Sequence, residues 1–151
     1  RLSDGSHGPV SRRRVAYCRA ELGIPNARVR RQRAFYLETT IDFSPLHALD
    51  RATVLARAPA APGLYELRLD RPGADGVGVV YLGRANNLRR RLLTHAGGNG
   101  RNRALAALVR DHRILFRFRI ERGDLKAAER EVHRVFCETY GGPPSCNRIR
   151  P

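Results

Sequence analysis

The chain has 151 residues and a hydrophobic fraction of 42%, enough apolar surface for one core and too little length for two domains of ordinary size. Its 29 Lys+Arg against 14 Asp+Glu leave a formal charge of +15. Such charge points to a polyanion, nucleic acid before an anionic membrane surface, because fixed positive groups gain free energy by displacing counterions from phosphates. No apolar run approaches the roughly 20 residues of a membrane span and no charged-then-apolar leader opens the chain, so a soluble intracellular protein with no membrane partner is expected. The first residue is Arg1 rather than Met, as expected of a piece of a longer protein.

Residues 1–12 combine Ser, Gly and charge and are not expected to be ordered. From Ser11 to Phe35 the chain is strongly basic with helical spacing, broken at Gly23 and Pro25. Between Glu21 and Arg30 a Gly breaks one helix, Ile24 follows it, and Val29 lies where a second helix would pack. That is the spacing of a helix-turn-helix, with Arg28, Arg30 and Arg31 as nucleic-acid contacts, although two plain amphipathic helices would share it. Ser44 and Pro45 supply an N-cap and a first-turn proline for a helix to about Ala56, stopped by Pro59. The Ala/Pro stretch at 58–62 reads as a linker. It divides the chain into a basic, partly helical extension, 1–57, and a domain, 58–151.

Gly63 to Leu69 and Gly78 to Leu82 read as strands joined by a turn around Pro72, Gly73 and Gly76. Helices are expected over Asn86 to His95 and Arg101 to Asp111, the latter with Leu105, Leu108 and Val109 on one side. Ile114, Phe116, Phe118 and Ile120 alternate with Arg113, Arg117 and Arg119, which predicts a half-buried strand with a basic face. Asp124 caps a last helix to about Tyr140, ended by Gly141 and Gly142. The order predicts a small α+β domain with a three-stranded antiparallel sheet flanked by helices.

Cys18, Cys137 and Cys146 form no CxxC pair, and the histidines at 7, 47, 95, 112 and 133 are scattered. Reduced thiols and no transition-metal site are therefore expected. Polar residues on stripes that should be core are more informative. On a helical wheel Leu88, Arg91, Leu92 and His95 share one stripe, while Arg89 and Arg90 point elsewhere. In the last helix Glu129 falls beside Leu125, Val132 and Phe136, with Glu131 on the opposite side. A carboxylate there needs a partner or a metal. Read without further context, an Arg91–Glu129 salt bridge or a place at the stripe's rim would satisfy it.

Gly63-Leu64-Tyr65, then Tyr81-Leu82-Gly83 followed by Arg84-Ala85-Asn86-Asn87-Leu88, then Arg91, Leu92, His95, Glu129 and Asn147 together resemble the GIY-YIG nuclease family. The match spans roughly residues 62 to 148. Leu64 and Leu82 stand where isoleucines are usual, and the stretch from Glu129 to Asn147 is longer than usual. The resemblance implies a DNA endonuclease that hydrolyses phosphodiesters with one divalent cation, Mg²⁺ or Mn²⁺, of restriction, homing or structure-selective repair type. Glu129 would hold the metal and Arg91 would grip the scissile phosphate. Tyr65 and Tyr81 would orient the attacking water, with Tyr65 favoured as general base. His95 would contact the phosphate or assist proton transfer, and Asn147 would brace the site. Arg84, Arg89 and Arg90 would bind DNA. Cutting both strands in one event would require a homodimer. RNA is an alternative substrate, and a catalytically silent nucleic-acid-binding module on the same fold is the alternative function.

Overall fold

The computed structural model describes residues 36–71 and 77–147, together with Arg13, Val15, Tyr17, Cys18 and Leu22. Arg13, Val15, Tyr17 and Cys18 are helical. The rest of the basic stretch, including Arg28, Arg30 and Arg31, and the turn at Pro72, Gly73 and Gly76 lie outside the described residues. The elements are β1 (His47–Ala48), α1 (Arg51–Arg57), β2 (Gly63–Leu69), β3 (Val79–Ala85), α2 (Leu88–Ala96), α3 (Arg103–Asp111), β4 (Ile114–Ile120) and α4 (Leu125–Tyr140). No helix among the described residues is long and apolar enough to cross a membrane.

The strands form one antiparallel sheet in the order β1-β4-β2-β3. It therefore has four strands rather than the expected three, because the chain around Ser44 does not start a helix. Ser44 donates its N–H to the Phe118 carbonyl at 2.7 Å, and its Oγ accepts from the Phe118 N–H at 3.1 Å. The edge of β4 thus captures this segment, and β1 pairs next to it. The N-cap is instead Asp50, whose carboxylate accepts from Thr53 N–H and Thr53 Oγ1, each at 2.8 Å. Helix α1 can begin only there.

The stretch 58–62 is a packed connector rather than a loose linker. Ala58 is buried, and the carbonyls of Pro59, Ala61 and Pro62 accept from Arg89, Leu88 and Glu121 N–H groups. Two of those donors belong to the first turn of α2, where a helix has no internal acceptors. The boundary expected at 57/58 does not separate two packing units either. Tyr36 and Phe43 sit in the apolar cluster with Leu64, Leu82 and Phe136, and Val54 and Ala58 sit in the one with Tyr65, Leu88 and Leu92.

The two clusters cover opposite faces of the sheet. Gly63 allows α2 to lie against one face: a Cβ there would meet the Arg119 carbonyl at 2.2 Å and the Leu88 side chain at 2.7 Å. On the other face Glu66 is fully buried. Its carboxylate accepts from Arg117 Nη2 at 2.7 Å, Arg117 Nε at 3.0 Å and the Tyr36 hydroxyl at 2.6 Å, and forms an ion pair with Arg68 Nε at 3.0 Å. Arg117 also reaches Thr40 Oγ1 at 2.9 Å. The basic face expected on β4 is therefore partly internal: Arg117 is buried beneath the 36–43 segment, neutralised by the residue opposite it on β2.

Removing one partner of a buried ion pair strands the other charge. Glu66→Ala should lower the unfolding free energy by about 3–5 kcal/mol. Tyr36→Phe, which deletes one hydrogen bond to a charged group, should cost about 1.5–3 kcal/mol. Urea unfolding followed by circular dichroism measures both, and equal losses for the two variants would mean that the buried charge is not what holds this layer.

Candidate active site

A bulge in β3 builds the site. Leu67 pairs with Tyr81 and Arg68 with Val79, so Val80 has no partner on β2. The extra residue shifts the alternation of β3, since each step along a strand reverses the face. Val80 and Tyr81 both pack toward the Tyr65 cluster, while Val79 and Leu82 join the opposite one. Gly83 then stands opposite Tyr65. A Cβ at Gly83 would lie 2.7 Å from the Tyr81 ring and 2.8 Å from the Tyr65 hydroxyl oxygen. Only a residue without a side chain admits both rings there.

Helix α2 brings the remaining groups to this face. Its N-cap Asn87 accepts from Arg90 N–H, and Leu88, Leu92 and His95 form its buried stripe. His95 Nε2 lies 2.9 Å from the buried Tyr65 hydroxyl, and Arg91 Nε donates to the same oxygen at 3.3 Å. The Tyr81 ring lies 5.9 Å from that of Tyr65 and 5.7 Å from that of His95, centroid to centroid. Burial, reinforced by the Arg91 charge, lowers the His95 pKa to about 4, so the imidazole is neutral at ordinary pH. Burial also pushes the Tyr65 hydroxyl above its usual value; Tyr81 adds to this, and Arg91 partly opposes it. Arg91 Nε–H thus donates to the Tyr65 oxygen, and the Tyr65 hydroxyl shares a second hydrogen bond with His95 Nε2 whose direction is set by the His95 tautomer.

Glu129 reaches the sheet from the other side. Its Oε2 accepts from Arg84 Nε at 2.8 Å, with the Glu129 side chain 17% and the Arg84 side chain 42% exposed. The wheel placed Glu129 correctly at the edge of the buried stripe, but its salt-bridge partner is Arg84 rather than Arg91. Glu129, Tyr65 and Gly83 nevertheless line one narrow cleft of about 10 Å³, together with Leu82 and His133. Asn147 sits at the outer edge of β3. Its Oδ1 accepts from Leu82 N–H at 2.9 Å and its Nδ2 donates to the Leu82 carbonyl at 2.8 Å. One carboxamide thereby satisfies both outward backbone groups of an edge residue.

The expected nucleic-acid contacts divide. Arg84, Arg90 and Arg91 are exposed, whereas Arg89 donates its Nε to the Ala58 carbonyl at 2.8 Å and ties α2 to the connector. His133 is a site neighbour that the sequence reading passed over: it is buried, one helical turn beyond Glu129, with Nε2 3.3 Å from Asn147 Nδ2. The i, i+4 spacing from Glu129 was the available signal.

No group of three or more His, Cys, Asp or Glu side chains is gathered among the described residues. Glu129 is the acidic side chain that lines the cleft. A lone carboxylate is a hard-oxygen donor of the class that Mg²⁺ or Mn²⁺ takes while keeping several waters.

No family model matches the chain, and no curated protein or solved structure matches it significantly. The site must therefore be judged on its own geometry.

A histidine whose pKa is lower in the folded than in the unfolded state favours folding while it is neutral. Its contribution is fully present above the unfolded value of 6.5 and is lost as pH falls toward about 4. A displacement of that size corresponds to about 3 kcal/mol. Wild-type stability should accordingly fall between pH 6.5 and 4 more steeply than that of His95→Gln, as followed by urea unfolding at stepped pH. Parallel pH profiles would show that His95 is not buried in its neutral form.

Proposed function

We propose that this chain is a divalent-cation-dependent endonuclease of the GIY-YIG kind that hydrolyses DNA phosphodiesters. The observation that carries this reading is the Tyr65 hydroxyl, buried and held between the Arg91 guanidinium and the neutral His95 imidazole. Ordinary aromatic packing does not require a tyrosine hydroxyl to be shared between a cation and a proton acceptor. A site that moves a proton beside a phosphate does.

In this reading the exposed Arg91 grips the scissile phosphate, for which its planar, permanently charged fork is suited. The Tyr65 oxygen accepts a proton from the attacking water while its own proton passes to His95 Nε2. With His95 in its Nδ1–H tautomer, the Nε2 lone pair removes the need for a free phenolate, which burial disfavours. Tyr81, half-buried beside Tyr65, walls the water in. Glu129 would hold the cation, whose chemistry when bound is to draw charge from a phosphoryl oxygen and acidify a water. Asn147 keeps the edge of β3 in place at Leu82. The net charge of +15 supplies sequence-independent affinity for DNA.

Supercoiled plasmid with Mg²⁺ or Mn²⁺ provides the test. The wild-type chain should nick it, and Glu129→Gln should abolish nicking while leaving DNA binding within a fewfold. Arg91→Lys should lose about 10²-fold or more, because charge alone does not restore the fork. Glu131, exposed and paired with Arg134, should tolerate Gln. DNA binding without any nicking by the wild type would replace this reading with the silent binding module.

A further inference from the structure

We infer that Arg84 is a built-in counter-ion that occupies Glu129 until nucleic acid draws it away, so that phosphate binding and cation binding are coupled through one exchangeable salt bridge. The inference rests on the nuclease reading of Glu129 and adds a positioning role for a residue so far assigned only to DNA contact.

Three observations carry it. Arg84 follows Gly83 on β3 and pairs in register with Leu64, which sets its side chain on the face that α4 covers. Its Nε lies 2.8 Å from Glu129 Oε2. The two exposures are unequal: the Glu129 side chain is 17% exposed and that of Arg84 42%, so the arginine is the more accessible member of the pair.

A sheltered carboxylate needs a positive partner at all times. With no cation bound, Arg84 is that partner. A half-exposed pair of this sort contributes little net stability, which makes the exchange cheap, in contrast to the fully buried Glu66–Arg117 pair. Among the described ion pairs, Arg134 with Glu131 and Glu138 spans one turn of an exposed helix surface. The Arg84–Glu129 pair instead joins a candidate phosphate contact to a candidate metal ligand. A phosphate competes for Arg84 through bidentate hydrogen bonds, and a dication is attracted to the carboxylate thus released. By linkage each ligand then strengthens the other. The cation site would fill chiefly when substrate is present.

The experiment is calorimetric titration of Mn²⁺ into the full chain without nucleic acid. Arg84→Gln should bind Mn²⁺ about fivefold more tightly than wild type, the factor expected when a competing exposed ion pair is removed. Arg84→Lys should fall between the two. Arg130→Gln, which removes one charge next to Glu129 in sequence but outside the pair, should stay within about twofold of wild type. Glu129→Gln should remove the binding in every background. Thermal melts establish that each variant is folded, and the Lys variant keeps the test open if the Gln variant is not. Unchanged or weaker Mn²⁺ binding in the Arg84 variants, with Glu129→Gln still abolishing it, would overturn the counter-ion role and leave Glu129 as a ligand. Absence of any Glu129-dependent Mn²⁺ binding, in wild type and Arg84→Gln alike, would overturn this inference, while the nuclease reading stands or falls on the nicking of plasmid.

Discussion

Glu66 carries a carboxylate with no exposed surface on β2, the strand between β4 and β3, and a buried charge of this sort is tolerable only with partners on every side. Arg117 comes from the facing position on β4, Arg68 from two residues along β2, and Tyr36 from the preceding segment. Meeting that requirement fixes the register of β2 against β4. A slip of one residue would turn Glu66 toward the apolar cluster around Leu88 and Leu92. The same register turns Tyr65 the other way, toward α2. The position of a candidate catalytic hydroxyl is thus set by a salt bridge on the opposite face of the sheet.

The bulge at Val80 then does for β3 what Glu66 does for β2. In a regular strand Tyr81 would alternate onto the face of Val79, away from Tyr65. The extra residue returns it, places Gly83 beneath the Tyr65 ring, and sends Arg84 to the side of Glu129. Tyr81-Leu82-Gly83-Arg84 therefore serves both faces within four consecutive residues. Because Asn147 and the Cys146 N–H bond the outer edge of this strand, the chain terminal to α4 holds the distorted strand in position.

Much of this was legible in the sequence, for reasons that differ by element. The alternation in Gly63 to Leu69 and Ile114 to Ile120, and the cap at Asp124, are local signals strong enough to give bounds that match β2, β4 and α4. Leu88, Leu92 and His95 share their stripe as the wheel requires, with Arg91 at its edge. The failures are cases in which a segment distant in sequence decided. Ser44 has the makings of an N-cap, but the Phe118 backbone takes it into the sheet. The Ala/Pro stretch looks like a linker because its packing is made by carbonyls, which carry no sequence signature. Glu66 passes for a surface residue, since its alternation with Tyr65 and Leu67 is that of a strand with one wet face. Only the Arg117 opposite it, fifty-one residues on, marks that face as covered.

The partition of charge between the two faces bears on the candidate chemistry. A direct Arg91–Glu129 bridge, the simplest pairing for two polar residues on core-facing stripes, would have cancelled the Arg91 charge of the α2 side against the Glu129 charge of the α4 side. Instead the sheet stands between them. On the α2 side Arg91 meets the hydroxyl of Tyr65, and His95 is kept neutral. Arg91 forms no ion pair within the geometry that defines the other bridges among the described residues. Its charge is therefore left to act on whatever approaches from solvent. On the α4 side Glu129 is matched by one exposed arginine, Arg84. The cleft at Gly83, lined by both Tyr65 and Glu129, is where the two halves meet.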